Sequence, residues 1–229
     1  MNTNYWVTIF LKSDTLFGRG DGVAGMLNAE VQHDEFGLPY LSGKTLKGLL
    51  SASCGEVIAA LAASKKGDTW QESAQRLFGG PGSVQQDARS WLHISDATLP
   101  HDLQLAVREN IRLDRGVSRE TILATLTTMR RQTAMSSETG APLKESLRTS
   151  RVIIRGVTFT ANLLFLKPPE PEDVQLLAAC VKALKRVGTN RNRGLGQVNC
   201  QLYDVDPQRI DSQAITDQEF GKFETEVLR

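Results

Sequence analysis

Two loops of this chain place glycines beside cations, a combination that grips an anionic oxygen. The first is residues 37–50, GLPYLSGKTLKGLL. Gly37, Pro39 and Gly43 break regular structure there, and Leu46, Leu49 and Leu50 begin a helical spacing. Ser42 stands where a helix N-cap is needed, and Lys44, Thr45 and Lys47 fill the first turn. Free amides, the positive end of the helix dipole and two ammonium groups would converge on a phosphate. The pattern departs from a Walker loop: Leu38 stands where a glycine five residues before Gly43 is required, and no buried apolar strand leads in. The second loop, residues 190–197, carries Arg191 and Arg193 with Gly194 and Gly196, whose missing side chains let backbone amides approach a phosphate chain. Two such sites suit a polyanion. No aromatic lies in this second loop, which favours grip on a sugar–phosphate backbone over stacking of bases.

A third group of polar residues, Asp21, Asn28, Glu30, His33 and Asp34, falls within fourteen residues of loop just before the first site. It could hold a divalent metal or move protons, or it could simply be solvated. A fourth feature is basic. Between residues 115 and 155, Arg115, Arg119, Arg130, Arg131, Lys144, Arg148, Arg151 and Arg155 face three glutamates, a local charge of +5. Apolar residues vanish after Arg130, and the run TAMSSETGAP reads as a protruding arm, either a mobile insertion or a reach toward a nucleic-acid backbone.

The elements that must position these residues follow from periodicity. Residues 5–11 alternate as a strand; the helix opened at Thr45 runs to about Ala63; a short strand spans His93 to Ala97. Ser118 caps a helix with Ile122, Leu123, Leu126 and Met129 on one side. Strands follow at 152–154 and 158–166, then a helix with Val174, Leu177, Val181 and Leu184 recurring, and a last strand at 198–203. Strand, helix, strand, then strand, helix, strand predicts an α+β, ferredoxin-like (RRM-like) palm with long insertions. One domain over residues 1–203 is expected, with insertions at about 64–98 and 116–150, followed by an acidic extension over 204–229.

At 229 residues and 40% hydrophobic content the chain can bury a substantial core without staples. The net charge of +1 excludes an indiscriminate polycation, but its sign is uneven: residues 174–203 carry five bases and no acid, whereas residues 204–229 carry seven acids against three bases. Cys54, Cys180 and Cys200 are odd in number and widely separated, and read as buried free thiols. Polar residues interrupt the start of the chain, so neither a signal peptide nor a membrane anchor is expected there, and the compartment expected is a reducing cytoplasm.

In order along the chain, GLPYLSGKTLKGLL, LFGGPG, HISDATL, SLRTSRVIIRGVTFTANL and NRNRGLGQV resemble the motifs of the RAMP (repeat-associated mysterious protein) superfamily. More narrowly they resemble the backbone subunits of type III CRISPR effector complexes. The resemblance implies a ferredoxin-like palm, a thumb built from the segment between Gly116 and Arg148, and assembly with other subunits along CRISPR guide RNA to position target RNA. It places Ser42, Gly43, Lys44, Thr45 and Lys47 against guide phosphates, with the loop at Arg191, Arg193, Gly194 and Gly196 along the RNA path. Arg130, Arg131, Arg148 and Arg151 are further RNA-binding expectations in the basic segment. The resemblance also implies Mg²⁺-dependent cleavage of target RNA through an aspartate in the loop before the LPY motif. Asn28 occupies that position. An amide has no negative charge with which to bind Mg²⁺ or activate a hydroxyl, which leaves Glu30 or Asp21 as substitute carboxylates. Two other functions compete: metal-independent processing of precursor CRISPR RNA with His33 as general base, and a structural module whose basic surface meets an acidic protein.

Overall fold

The computed structural model describes residues 3–20, 28–63, 68–80, 90–133, 140 and 147–228. Asp21, Lys144 and most of the arm after Arg131 lie outside the described residues. Strand β1 (Asn4–Leu11) forms because Tyr5, Val7, Ile9 and Leu11 alternate with residues of the opposite face, and all four are buried. It lies between β5 (Thr158–Phe165) and β6 (Val198–Tyr203), and β2 (Leu92–Ile94) lies outside β5. The order β2-β5-β1-β6 is antiparallel at every junction. Register places Ile9 between Phe159 and Cys200, and Val7 between Ala161 and Leu202, so one face of the sheet is a continuous apolar layer.

Helix α1 (Gly43–Ala63) joins β1 to β2, and α5 (Pro171–Ala183) joins β5 to β6. By length and apolarity α1 would suffice to cross a membrane. It instead packs on α5 and β2, burying Leu46, Leu50, Cys54 and Leu61. The spacing of Val174, Leu177 and Val181 predicts a one-sided helix for α5, but residues 173–181 are all buried. Neighbours on several sides explain the difference: α1, α2 (Asp68–Phe78) and α6 (Thr216–Leu228) all pack on α5. The buried Asp173 is tolerated because its carboxylate accepts from Ser73 Oγ at 2.7 Å, Arg76 Nε at 3.0 Å and the Glu170 amide at 3.0 Å. The acidic tail thus folds back as a helix, with Phe223 edge-on to Trp70 at 4.6 Å between ring centres.

A second sheet is a two-stranded ribbon of β3 (Thr127–Gln132) and β4 (Arg148–Ile153). It follows α4 (Arg119–Leu126), which Ser118 caps as expected by accepting from the Thr121 amide. The expected helical face ends sooner than the spacing implied. Met129 belongs to β3 and is exposed, because the β-branched pair Thr127 and Thr128 finds strand partners at Ile153 and Val152. The two strands expected at 152–154 and 158–166 are β4 and β5, and they belong to different sheets: Arg155-Gly156 passes the chain from ribbon to main sheet, with Gly156 at φ +88°. Helix α3 (His101–Arg112) has no counterpart in the sequence reading; it buries only Val107, with Ile111 partly buried against the core. The ribbon is tied to the segment after β1 by mutual backbone bonds between Thr15 and Ile153 at 2.9 and 2.8 Å.

Candidate nucleic-acid interface

The first turn of α1 is built as its sequence predicts and used differently. Ser42 caps it, accepting from the Thr45 amide at 3.3 Å. The Gly43 amide is not free: it donates to Asp96 Oδ1 at 2.7 Å, so a carboxylate of the protein itself sits on the helix N-terminus. A Cβ on Gly43 would meet the Ile94 carbonyl oxygen at 2.2 Å, which assigns this glycine to close packing of α1 on β2. Lys47 turns inward, donating to Ser90 Oγ at 2.6 Å and the Leu92 carbonyl at 2.8 Å, and burial lowers its pKa. Lys44 and Thr45 are exposed at the surface of the same turn. The expectation of several free amides converging with two lysines is therefore corrected to one exposed lysine beside a neutralised helix end.

The loop at 190–197 divides in the same way. Gly196 has φ +76°, and a Cβ there would meet the Val187 carbonyl oxygen at 2.0 Å; its amide donates to the Asp14 carbonyl at 3.0 Å. Gly196 is therefore a packing residue. Gly194, at φ +78°, has open space around it and ends the short 3-10 turn Arg191–Arg193. Arg191 and Arg193 are both exposed.

What the tertiary structure assembles is a groove of about 400 Å³ lined by Ser13, Asp14, Arg130, Arg131, Gln132, Arg155, Arg193, Gly194 and Leu195. Arg130 and Arg131 come from β3, Arg155 from the turn after β4, and Arg193 and Gly194 from the 3-10 turn. Four arginines and one aspartate thus line the groove. That balance, with exposed planar donors, suits the phosphates of a nucleic-acid strand. Four of the expected residues, Arg130 and Arg131 from one segment and Arg193 and Gly194 from another, meet here. Arg155 enters the sequence reading only as one of the bases of residues 115–155, and Asp14 not at all, because nothing in their local spacing distinguishes them. Arg148 is exposed at the start of β4 but does not line the groove. Arg151 serves a different purpose: its Nε lies 2.9 Å from Oε1 of the buried Glu30.

The polar loop before the LPY motif is largely structural. Glu30 Oε1 also accepts from the Val31 amide at 2.8 Å, so both its charge and its lone pairs are engaged. Asp34 Oδ1 accepts from the amides of Phe36 and Leu38, each at 2.9 Å, as a turn staple. His33 Nδ1 lies 2.9 Å from the Asp34 carbonyl oxygen, a local loop contact. Asn28 is exposed and clipped to the ribbon: its amide donates to the Thr149 carbonyl, and its Oδ1 accepts from the Thr149 amide, both at 2.8 Å. Among the described residues no group of three His, Cys, Asp or Glu side chains converges as a metal site. Asn28 presents a neutral amide and Glu30 is paired to Arg151, so neither offers Mg²⁺ a free carboxylate, and Asp21 lies outside the described residues.

Residues 8–199 match the RAMP superfamily. The chain belongs to that superfamily. This RAMP is also similar in fold to chains from two cryo-EM structures of Type III-B Cmr-beta. To one from the apo state it has a TM-score of 0.59 and 13% identity, covering 87% of this chain and 97% of the other. To one from the complex bound to cognate target RNA it has a TM-score of 0.60 and 12% identity, covering 87% and 96%. No curated protein matches this RAMP in sequence. The α+β architecture with antiparallel sheets is thus shared with subunits of an assembly of this class, and the groove is a feature of this chain's own residues.

Proposed function

We propose that this RAMP is a guide-RNA-binding backbone subunit of a type III CRISPR interference complex, positioning complementary target RNA among other subunits in the cytoplasm. The observation that carries the reading is the arginine groove, where three separate segments bring Arg130, Arg131, Arg155 and Arg193 around a strand-sized channel. Family membership and the fold likeness support it. The strand order β2-β5-β1-β6, with α1 and α5 as crossovers, supports reading the main sheet as a ferredoxin-like palm and the β3–β4 ribbon as part of the thumb. Lys44, Arg148 and Arg191 are exposed where they could extend the phosphate track.

Target cleavage is not part of this reading for the chain as it stands, since the loop that would carry it offers Asn28 in place of a carboxylate. The deciding measurement is a salt series of single-stranded RNA affinity. Each phosphate contact contributes about −0.7 to the slope of log K against log salt for a single strand. Arg131→Gln and Arg193→Gln are each expected to flatten that slope, by about 0.7 at most, and to weaken binding severalfold. RNA affinity without salt dependence, or unchanged in both variants, would overturn the reading.

A further inference from the structure

Among the described residues, Asp14 is the only acid lining a groove of four arginines, and it is buried at 8% exposure. A carboxylate in a phosphate track would ordinarily repel the ligand, so its place needs a reason. Its contacts supply one. Oδ2 accepts from Arg130 Nε at 2.8 Å and also from Arg130 Nη2. Oδ1 accepts from the Arg155 amide at 3.1 Å. The Asp14 carbonyl accepts from the Gly196 amide at 3.0 Å, and the adjacent Ser13 Oγ accepts from the Gln197 amide at 2.9 Å. One residue after β1 therefore joins all three segments that bring arginines to the groove: the ribbon, the turn at Arg155 and the loop behind Arg193.

We propose that Asp14 is a positioning residue for RNA binding, acting through Arg130, an inference that rests on the RNA-binding reading above. A guanidinium has five N–H donors in a fixed plane. Nε and one N–H of Nη2 engage Asp14, and the Arg130 side chain remains 56% exposed, so its outer edge still faces solvent. Arg130 can then hold the carboxylate and a phosphate at once, already oriented before RNA arrives, and the side-chain entropy of ordering it is spent in folding. Repulsion between Asp14 and the phosphate is limited because Arg130 stands between them. The same contact braces the ribbon against the segment that follows β1: β3 meets it through Arg130 on Asp14 and β4, one residue on, through Ile153 paired with Thr15.

The test is a double-mutant cycle on the full chain, reading affinity for a fluorescent single-stranded RNA by anisotropy at several salt concentrations. Asp14→Asn is expected to weaken binding about tenfold, as does Arg130→Gln, and the double variant is expected to bind no more weakly than Arg130→Gln alone. Additive losses, or an Asp14→Asn chain that binds as tightly as the parent or more tightly, would overturn the proposal. A purely structural role would lower the melting temperature and weaken binding equally whether or not Arg130 is present. Should Asp14→Asn not fold, Arg130→Lys decides: a single ammonium keeps the charge but not the planar fork, so severalfold loss is expected and full affinity refutes the idea. Arg193→Gln keeps the two readings apart. If it and the parent both bind without salt dependence, the RNA-binding reading has failed; if it weakens binding while Asp14→Asn does not, only the positioning role has failed.

Discussion

The amide of Gly43 donates to the carboxylate of Asp96 at 2.7 Å across fifty-three residues of chain, so the positive end of α1 is neutralised from within the protein. This contact decides how the lysine-bearing loop works. A helix end that carries its own anion is a joint between α1 and the β2 edge, and the exposed Lys44 becomes the principal cation it offers outward.

Replacing Asp96 by Ala should leave a buried-side amide without its charged acceptor. The expected cost is about 1–3 kcal/mol, measured as a lower urea midpoint with an unchanged slope. A shift below a few tenths of a kcal/mol would show that water replaces the carboxylate.

Arg76 and Asp173 form the deepest ion pair among the described residues, with Asp173 fully buried and Arg76 Nη2 2.9 Å from Oδ1. Hydrogen bonding to Asp173 raises the Arg76 pKa. Arg76→Ala strands that carboxylate in the core, and a loss of about 3–5 kcal/mol is expected by denaturant unfolding. Substituting both partners by apolar residues of similar volume should recover much of it.

The two glycines of the 190–197 loop should separate cleanly. Gly196→Ala drives a Cβ onto the Val187 carbonyl oxygen and keeps a positive φ, so severe destabilisation is expected by thermal melting. Gly194→Ala meets no neighbour and should cost only the left-handed backbone penalty, about 1 kcal/mol.

Cys200 supplies a pH dependence. Burial pushes its thiol from 9.0 up to about 12, so the folded chain keeps a proton that the unfolded chain releases. Stability is therefore expected to fall as pH rises from about 9 toward 12, being fully present below the unfolded value. Cys200→Ala should flatten that decline in urea titrations at pH 8 and pH 10, and equal slopes with and without the thiol would refute the assignment. The same burial predicts no labelling by iodoacetamide in the folded state, because the thiolate is the reacting form.

Target RNA incubated with the chain should survive equally in Mg²⁺ and in chelator. Asn28→Asp keeps the acceptor for the Thr149 amide and adds a charge at the exposed ribbon edge. Gain of metal-dependent cutting in that variant would locate the cleavage site, and continued inactivity would mark a subunit whose role is structural.

Periodicity by itself was enough for the main sheet and the two helices that cross it. Alternation at Val7, Ile9 and Leu11, again at Phe159 to Phe165, and helical spacing from Leu46 and from Val174 are local consequences of burying one face of an element, and each is present in the fold. The glycines and cations of the two loops were equally legible, as was the ordered motif set that marks a RAMP. Their partners were not. Asp96 on Gly43, Ser90 on Lys47, Glu30 on Arg151 and Asp14 on Arg130 are contacts across 43 to 121 residues of chain, and no local pattern encodes which charge will meet which. Sequence determined which residues could hold an anion. Only the tertiary structure decided which of them are spent on the protein's own carboxylates and carbonyls and which, at Arg131, Arg155 and Arg193, remain exposed along the groove, because a long-range pairing is settled by which loops the sheet brings to one edge.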